Sequence, residues 1–404
     1  MFRKRNLIII LTLSLLLTIY IGFSVYMFPG QIILLVKDQP IKMPGLFALC
    51  GDELYWGAKT LPLKPGENNF SLKFLGIWQL KKTQVYLLER CYLKLGGHSV
   101  GVILESEGLK VAGFYPVITI TGKENWPAKD AGLAVGDLLL KANGINLTDP
   151  DILQKITLEA SIINLTVSRG KRIFETIIIP HPSNSPTKEK MLGIFLSEPV
   201  MGIGTLTFAT EDGYAFAALG HLIGEGENDN QGIIKKAHIV GIRKGERGTP
   251  GEKLGLFDNS GETLGRITKN SSLGIYGELS ESLDSPLVEL AFYEEIKVGP
   301  AQIVTVISGE NREIFEAFIE QIFSRREPTN RSFIIRITDS RLLAEAGGIV
   351  QGMSGSPVLQ NGKLIGAVTH VFVNDPQRGY GALAEWMALE AGAFKSLQKQ
   401  ALGS

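Results

Sequence analysis

Gly352-Met353-Ser354-Gly355-Ser356-Pro357 has the form Gly-x-Ser-Gly-x-Pro. Glycines flanking a serine let the backbone turn tightly, because glycine takes left-handed φ without a Cβ penalty. Such a turn aims the amides of Gly352 and Ser354 at one developing oxyanion and leaves Ser354 within reach of a carbonyl carbon and a base. The competing reading is a plain surface turn, which Gly, Ser and Pro also populate. The rest of the chain separates the two.

A serine hydroxyl is a poor nucleophile until an imidazole takes its proton and a carboxylate fixes that imidazole's tautomer. Among the 5 histidines, His221 stands in Ala218-Leu219-Gly220-His221-Leu222-Ile223-Gly224, at the end of an apolar strand and before a polar loop. Its small neighbours leave the ring accessible, which suits a base. His238 reads as a strand residue with a structural role, and His370 follows Ser354 by a strand and a turn. A lipase-type elbow, Gly-x-Ser-x-Gly, is excluded because Ser356 occupies its last position.

Around these residues, positions 187–404 hold short apolar runs separated by Gly-rich turns: 232–242, 287–292, 302–307, 332–337 and 363–373. Asn311 to Ile322 and Glu385 to Gln398 read as helices. Many strands and a terminal helix fit a two-barrel domain, for which about 200 residues suffice.

The chain's 404 residues allow two or three domains, and 46 glycines with few amphipathic runs indicate a β-rich protein. Lys plus Arg (41) equals Asp plus Glu (41), so no global basic field recruits nucleic acid. Cys50 and Cys91 have no metal-ligand spacing; they form one disulfide in an exported chain or are two inert buried thiols. No metal and no organic cofactor is implied.

Arg3-Lys4-Arg5 precedes an apolar run from Leu7 to Phe28, which Pro29-Gly30 ends. The run is long enough to span a bilayer and has no polar face or small-x-small cleavage pattern. The basic head stays cytoplasmic, so the remainder is exported behind a signal anchor. Residues 31–90 read as a β-rich segment without a chemical motif.

Residues 91–181 carry Gly96-Gly97-His98-Ser99-Val100-Gly101-Val102, then Ala131-Gly132-Leu133, Gly136-Asp137-Leu138-Leu139 and Asn143-Gly144. This succession resembles the PDZ domains of bacterial membrane and periplasmic proteases. The resemblance implies a loop at Gly97, His98, Ser99 and Val100 that offers amides to a peptide carboxylate while the peptide adds a strand. Pro180-His181-Pro182-Ser183-Asn184-Ser185-Pro186 reads as the linker that follows, with His181 a bystander.

Gly202-Ile203-Gly204-Thr205-Leu206-Thr207, Leu219-Gly220-His221, and the run from Gly347 through Ser354 to Pro376 make the chain similar to the stage IV sporulation protein B family of serine peptidases. The resemblance implies a chymotrypsin-like fold, His221 as general base, Ser354 as nucleophile and Asp339 as the orienting acid, with Asp258 and Asp284 the competing acids. Met353 departs from the acidic residue that pairs with a freed N-terminus in many chymotrypsin-like peptidases, so that switch is not expected. By position, His370 is a candidate for a specificity pocket that takes Glu or Gln side chains, the bland reading being a buried hydrogen-bonded histidine.

The expected architecture is therefore mainly β: residues 1–30 head and anchor, 31–90 a β-rich segment, 91–181 a PDZ domain, and 187–404 a chymotrypsin-like double β-barrel peptidase domain. The expected function is regulatory proteolysis in sporulation, in the space between the two membranes around the forespore. The implied partners are a protein substrate in a membrane signalling complex that activates an intramembrane protease, and a PDZ peptide ligand; self-cleavage releases the enzyme from its anchor. The rival is a non-catalytic PDZ scaffold with a degenerate peptidase domain.

Overall fold

The computed structural model describes residues 2–28, 30–35, 41, 45–51, 53–57, 61, 63, 66–104, 108–119, 121–170, 172–187, 189–197, 201–224, 231–257, 262–323 and 327–394. The chain divides into two compact units. One comprises residues 1–102, 202–229 and 233–404, and the other residues 103–201 with 230–232.

The larger unit opens with helix Phe2–Met27, whose Asn6–Met27 stretch is long and apolar enough to cross a membrane. A five-stranded sheet follows, ordered Gln31–Leu35, Trp78–Leu88, Gly66–Phe74, Phe47–Cys50, Leu54–Trp56. Phe47, Leu49, Leu72 and Val85 form its core. Both cysteines are unpaired, and burial, followed by the charge of Glu211, pushes the Cys91 thiol up to about 12, which makes it unreactive.

Twelve strands then build two barrels. The first uses β1 (Ser99–Leu104), β2 (Met201–Ala209), β3 (Ala215–Ala218), β4 (Gly232–Lys236), β5 (Thr263–Ser271) and β6 (Gly274–Leu279). They pair in the order β3-β6-β5-β4-β1-β2, and β2 returns to β3, closing the ring. The second uses β7 (Gly299–Thr305), β8 (Glu313–Ile322), β9 (Phe333–Ile337), β10 (Pro357–Gln360), β11 (Lys363–Phe372) and β12 (Asp375–Leu383). Its ring runs β7-β8-β9-β12-β11-β10 and closes on β7. Closure leaves no unpaired sheet edge, which is how an all-β domain avoids edge-to-edge association. Strands Tyr92–Leu95 and Leu287–Leu290 lie between the rings and bridge β2 to β11. The expected double-barrel, mainly β fold is what the chain adopts.

Two local expectations are corrected. Asn311 to Ile322 holds strand β8, not a helix: Phe315, Ala317 and Ile319 are buried while Ile314 and Glu316 face out, a period of two. The Phe and Ile in this run favour the pleated surface over the helix. The terminal helix is shorter than expected, Ala384–Glu390, and residues beyond 394 lie outside the described part.

The smaller unit has a sheet ordered Arg172–Ile178, Ile163–Arg169, Leu138–Ala142, Leu109–Phe114, Ile194–Leu196, with helices Pro127–Asp130 and Pro150–Glu159. Its core is Leu109, Val111, Leu139, Leu153, Ile163, Leu165 and Val167. The Pro- and Ser-rich stretch at 180–186 falls inside this unit, where His181–Pro182 pairs with Lys190–Met191. The unit interrupts barrel one between β1 and β2, so the chain leaves the barrel and returns to it.

Asp137, fully buried, fixes this unit's Gly-Asp turn. It accepts two bonds from Arg169, at 2.6 and 2.7 Å, and one from the Ala134 amide at 2.8 Å. The Arg169 bond is the main cause holding its carboxyl below the usual range. That stabilisation is complete above the ordinary carboxylate range and is lost as pH falls through the lowered folded value. Asp137→Asn is expected to destabilise the chain by about 2–3 kcal/mol in denaturant titrations and to remove this acid dependence.

Candidate active site

Strand β3 ends at Ala218, and the next two residues take left-handed φ, +68° at Leu219 and +69° at Gly220. For a leucine this conformation costs on the order of 1–2 kcal/mol, so the surroundings must impose it. The Leu219 amide donates to the Thr205 carbonyl at 3.2 Å. Beyond His221, buried Asn270 clamps the loop, its amide nitrogen donating to the Ile223 carbonyl at 2.7 Å and its oxygen accepting from the Ile223 amide at 3.2 Å.

The His221 Nδ1 lies 2.8 Å from the Leu222 carbonyl oxygen. A carbonyl only accepts, so Nδ1 carries the proton and Nε2 keeps its lone pair, the tautomer a general base needs. Burial lowers the ring's pKa, with the Leu222 bond opposing it in part. His221 is therefore neutral at physiological pH.

The turn that carries Ser354 is closed by Met353 N–H to Val350 O at 3.0 Å and Ser356 N–H to Met353 O at 2.9 Å. Gly355, at φ +91°, has no room for a side chain: a Cβ would lie 2.1 Å from Thr205 O and 2.4 Å from Leu219 N. The same approach brings the His221 loop onto the Ser354 turn. Among the described residues, the amides of Gly352 and Ser354 donate to no protein acceptor, which leaves both free for an oxyanion. Ser354 Oγ donates to the Thr369 carbonyl at 2.8 Å and does not hydrogen-bond His221. A nucleophilic role for Ser354 would require that Oγ to turn from Thr369 to the imidazole, a change that unliganded sites commonly undergo on binding. The second serine, Ser356, is fully buried and donates to Thr305 Oγ1 at 3.0 Å, so it is structural.

His370 stacks obliquely on His221, with ring centroids 5.0 Å apart. Its Nδ1 is buried without a partner among the described residues. Burial first, then the charges of His221 and Arg331, push it down to about 4, so it is neutral and offers a polar edge beside the base.

Among the described residues Asp339 makes no hydrogen bond to His221. One carboxylate oxygen accepts from the amides of Arg341 (3.0 Å) and Leu342 (2.9 Å), capping helix Ser340–Ala346, and the other from Glu316 N at 3.3 Å. The Leu222 carbonyl occupies the ring position an acid would take. Asp284 is exposed, and Asp258 lies outside the described residues.

The segment expected as a peptide-binding loop has another place. Ser99 and Val100 are buried in β1, and a Cβ on Gly97 would meet Val304 of the second barrel at 2.7 Å. His98 is held in the same inter-barrel seam, its carbonyl accepting from Leu206 N at 2.9 Å. Burial, Arg312 and Lys236 lower its pKa to about 4. These residues join the two barrels; they do not form an open groove.

Sequence reasoning missed Thr205, whose hydroxyl donates to the Gly352 carbonyl at 2.8 Å, and Asn270. Thr205 lies in the run Gly202 to Thr207 that carries the resemblance, but its type alone gives it no role, and an asparagine before a turn such as Asn270 is common.

A serine turn with two free amides and a neutral imidazole beside it, set between two closed barrels, defines a serine endopeptidase. Residues 188–388 match the family described as SpoIVB peptidase S55. The chain carries a peptidase domain of that family. Among solved structures it is similar to the active form of the Rv3671c protease from M. tuberculosis, at 19% identity and a TM-score of 0.28, covering 48% of this chain and 75% of that one. An inactive form of the same protease aligns at 19% identity and a TM-score of 0.27, covering 48% of this chain and 84% of that one. No curated protein matches the chain.

The buried imidazole sets a pH limit. A general base at His221 would act unprotonated, so activity is expected to rise with pH through a value below the ordinary histidine one. The acidic limb of kcat/KM is expected below 6.5, the ordinary histidine value, in a pH series on a peptide substrate.

Proposed function

We propose that Ser354 is the nucleophile and His221 the general base of a membrane-anchored, exported peptidase that performs regulatory proteolysis in sporulation. The observation that carries the catalytic part is the Ser354 turn itself, with the Gly352 and Ser354 amides unoccupied and the His221 loop in contact with it. In the reaction His221 Nε2 takes the Ser354 proton as Oγ attacks the carbonyl. The two amides hold the oxyanion, and the imidazolium returns the proton to the leaving amine. The place of action is the space between the membranes around the forespore. The substrate is a component of a membrane signalling complex whose cleavage activates an intramembrane protease. The apolar helix supports anchoring by its length and composition, and self-cleavage after it releases the enzyme. His370, beside the base, lines the pocket for the residue before the scissile bond.

The smaller unit acts as a PDZ module that takes a peptide by strand addition. Its Gly-Asp turn, its two helices and its six-stranded sheet support that reading. Its peptide site is sought within residues 103–201 and not at Gly97 to Val100.

A fluorophosphonate applied to the full chain is expected to label Ser354, mapped by mass spectrometry, and Ser354→Ala and His221→Ala to lose both labelling and self-cleavage. A wild-type chain that takes no label and cleaves nothing would leave the scaffold reading in its place.

Asp339 supports the site through the helix it caps, because residues 347–351 run from that helix into the nucleophile turn. Asp339→Ala is expected to cost about 1 kcal/mol and to slow turnover, whereas Asp339→Ser, which still caps, restores most of both. If the serine variant is folded yet slower by about 10⁴, the carboxylate itself orients His221.

A further inference from the structure

Lys253, in strand Glu252–Leu256, is 2% exposed. Its Nζ donates to Thr305 Oγ1 at 2.8 Å, Ser99 Oγ at 3.2 Å and Thr205 Oγ1 at 3.4 Å. The three hydrogens of an ammonium thus meet three buried hydroxyls, two from barrel one and one from barrel two. Among the described residues no carboxylate pairs with it. Burial alone pushes its pKa down to about 7. A buried lysine without a counter-ion opposes folding, so packing does not account for its presence.

Its connections all lead to one place. The Lys253 amide donates to the Gln351 carbonyl at 2.9 Å. In a trans peptide the N–H points opposite to the C=O, so this bond aims the Gly352 N–H away from Lys253 and toward the oxyanion position. The Gly352 carbonyl on the next peptide accepts from Thr205 Oγ1, which itself accepts from Lys253 Nζ. The Ser354 N–H lies opposite the Met353 carbonyl, which Ser356 N–H holds at 2.9 Å. Ser356 is pinned by its hydroxyl to Thr305, the nearest partner of Lys253 Nζ. The lysine stem fills the space below Gly352, where a Cβ would stand 3.0 Å from Lys253 Cβ.

We propose that Lys253 is the positioning residue of the oxyanion hole, fixing the Gly352 amide through its own backbone and the Ser354 amide through the relay Lys253–Thr305–Ser356. It touches no substrate. Its work is to keep both peptide planes from rotating while charge develops on the oxyanion.

The inference rests on the peptidase reading, and the test keeps their failures apart. The full chain is reacted with a fluorophosphonate, and the maximal phosphonylation rate is separated from the concentration for half-maximal rate. Lys253→Met, which keeps the stem and removes the three donors, is expected to lose about 10²-fold in maximal rate, the usual effect of disabling an oxyanion donor, with the half-maximal concentration changed less than about twofold. Its melting temperature is expected to equal or exceed the wild-type value. Thr305→Val breaks the relay and is expected to lose rate in the same way, and Thr305→Ser to restore it. Should Lys253→Met fail to fold, the Thr305 pair carries the test. Wild-type rates in Lys253→Met, or no difference between Thr305→Val and Thr305→Ser, would overturn the proposal. A wild-type chain that takes no label overturns the peptidase reading and the inference with it.

Discussion

Strand β2 holds the nucleophile turn by hydrogen bonds made from the opposite barrel. The Thr205 amide donates to Ser354 O at 3.0 Å, the Thr205 hydroxyl to Gly352 O at 2.8 Å, and the Thr207 hydroxyl to Gly355 O at 2.8 Å. Both threonines are fully buried, so water does not compete for these carbonyls. Apolar cores are nearly indifferent to a small slide of one barrel on the other, whereas directional bonds to three carbonyls of one turn are not. Each bond, if unmade, would strand a buried polar group at a cost of about 1–3 kcal/mol. The register between the barrels and the shape of the catalytic turn are therefore one constraint.

The same contact explains the strain beside the base. Leu219 donates to the Thr205 carbonyl while Thr205 grips the Ser354 turn, so one residue of β2 fixes both halves of the site. The left-handed Leu219 and Gly220 then turn the chain abruptly enough to bring His221 to Ser354 within a few residues of the end of β3. Strain of this kind persists only where the surroundings over-determine the backbone.

The tight turns at Gly352–Gly355 and before His221 were legible because glycine there supplies the left-handed φ that such turns need. The double barrel was legible from the spacing of apolar runs. Asp339 was harder, since an aspartate that begins a helix and one that orients a histidine look alike in sequence; only the amides of Arg341 and Leu342 distinguish them. The Gly97–Val100 segment was misread for a topological reason. A unit of about a hundred residues is inserted between β1 and β2, which are hydrogen-bonded neighbours, so a barrel strand sits in sequence against the start of another fold. Lys253 was invisible because a lysine in a short strand reads as surface, and its burial exists only once both barrels close.

The orientation of His221 by a backbone carbonyl has a chemical consequence. A carboxylate against Nδ1 both selects the tautomer and stabilises the imidazolium that forms as serine gives up its proton. The Leu222 carbonyl selects the tautomer equally well but brings only a dipole to the cation. Burial disfavours the imidazolium further, and His370 at 5.0 Å is neutral and supplies no counter-charge. The proton transfer must then draw its driving force from the other end of the reaction, where the oxyanion forms. In the proposed reaction the oxyanion held by the Gly352 and Ser354 amides is an opposite charge for the imidazolium, which ties the stiffness of that turn to the rate.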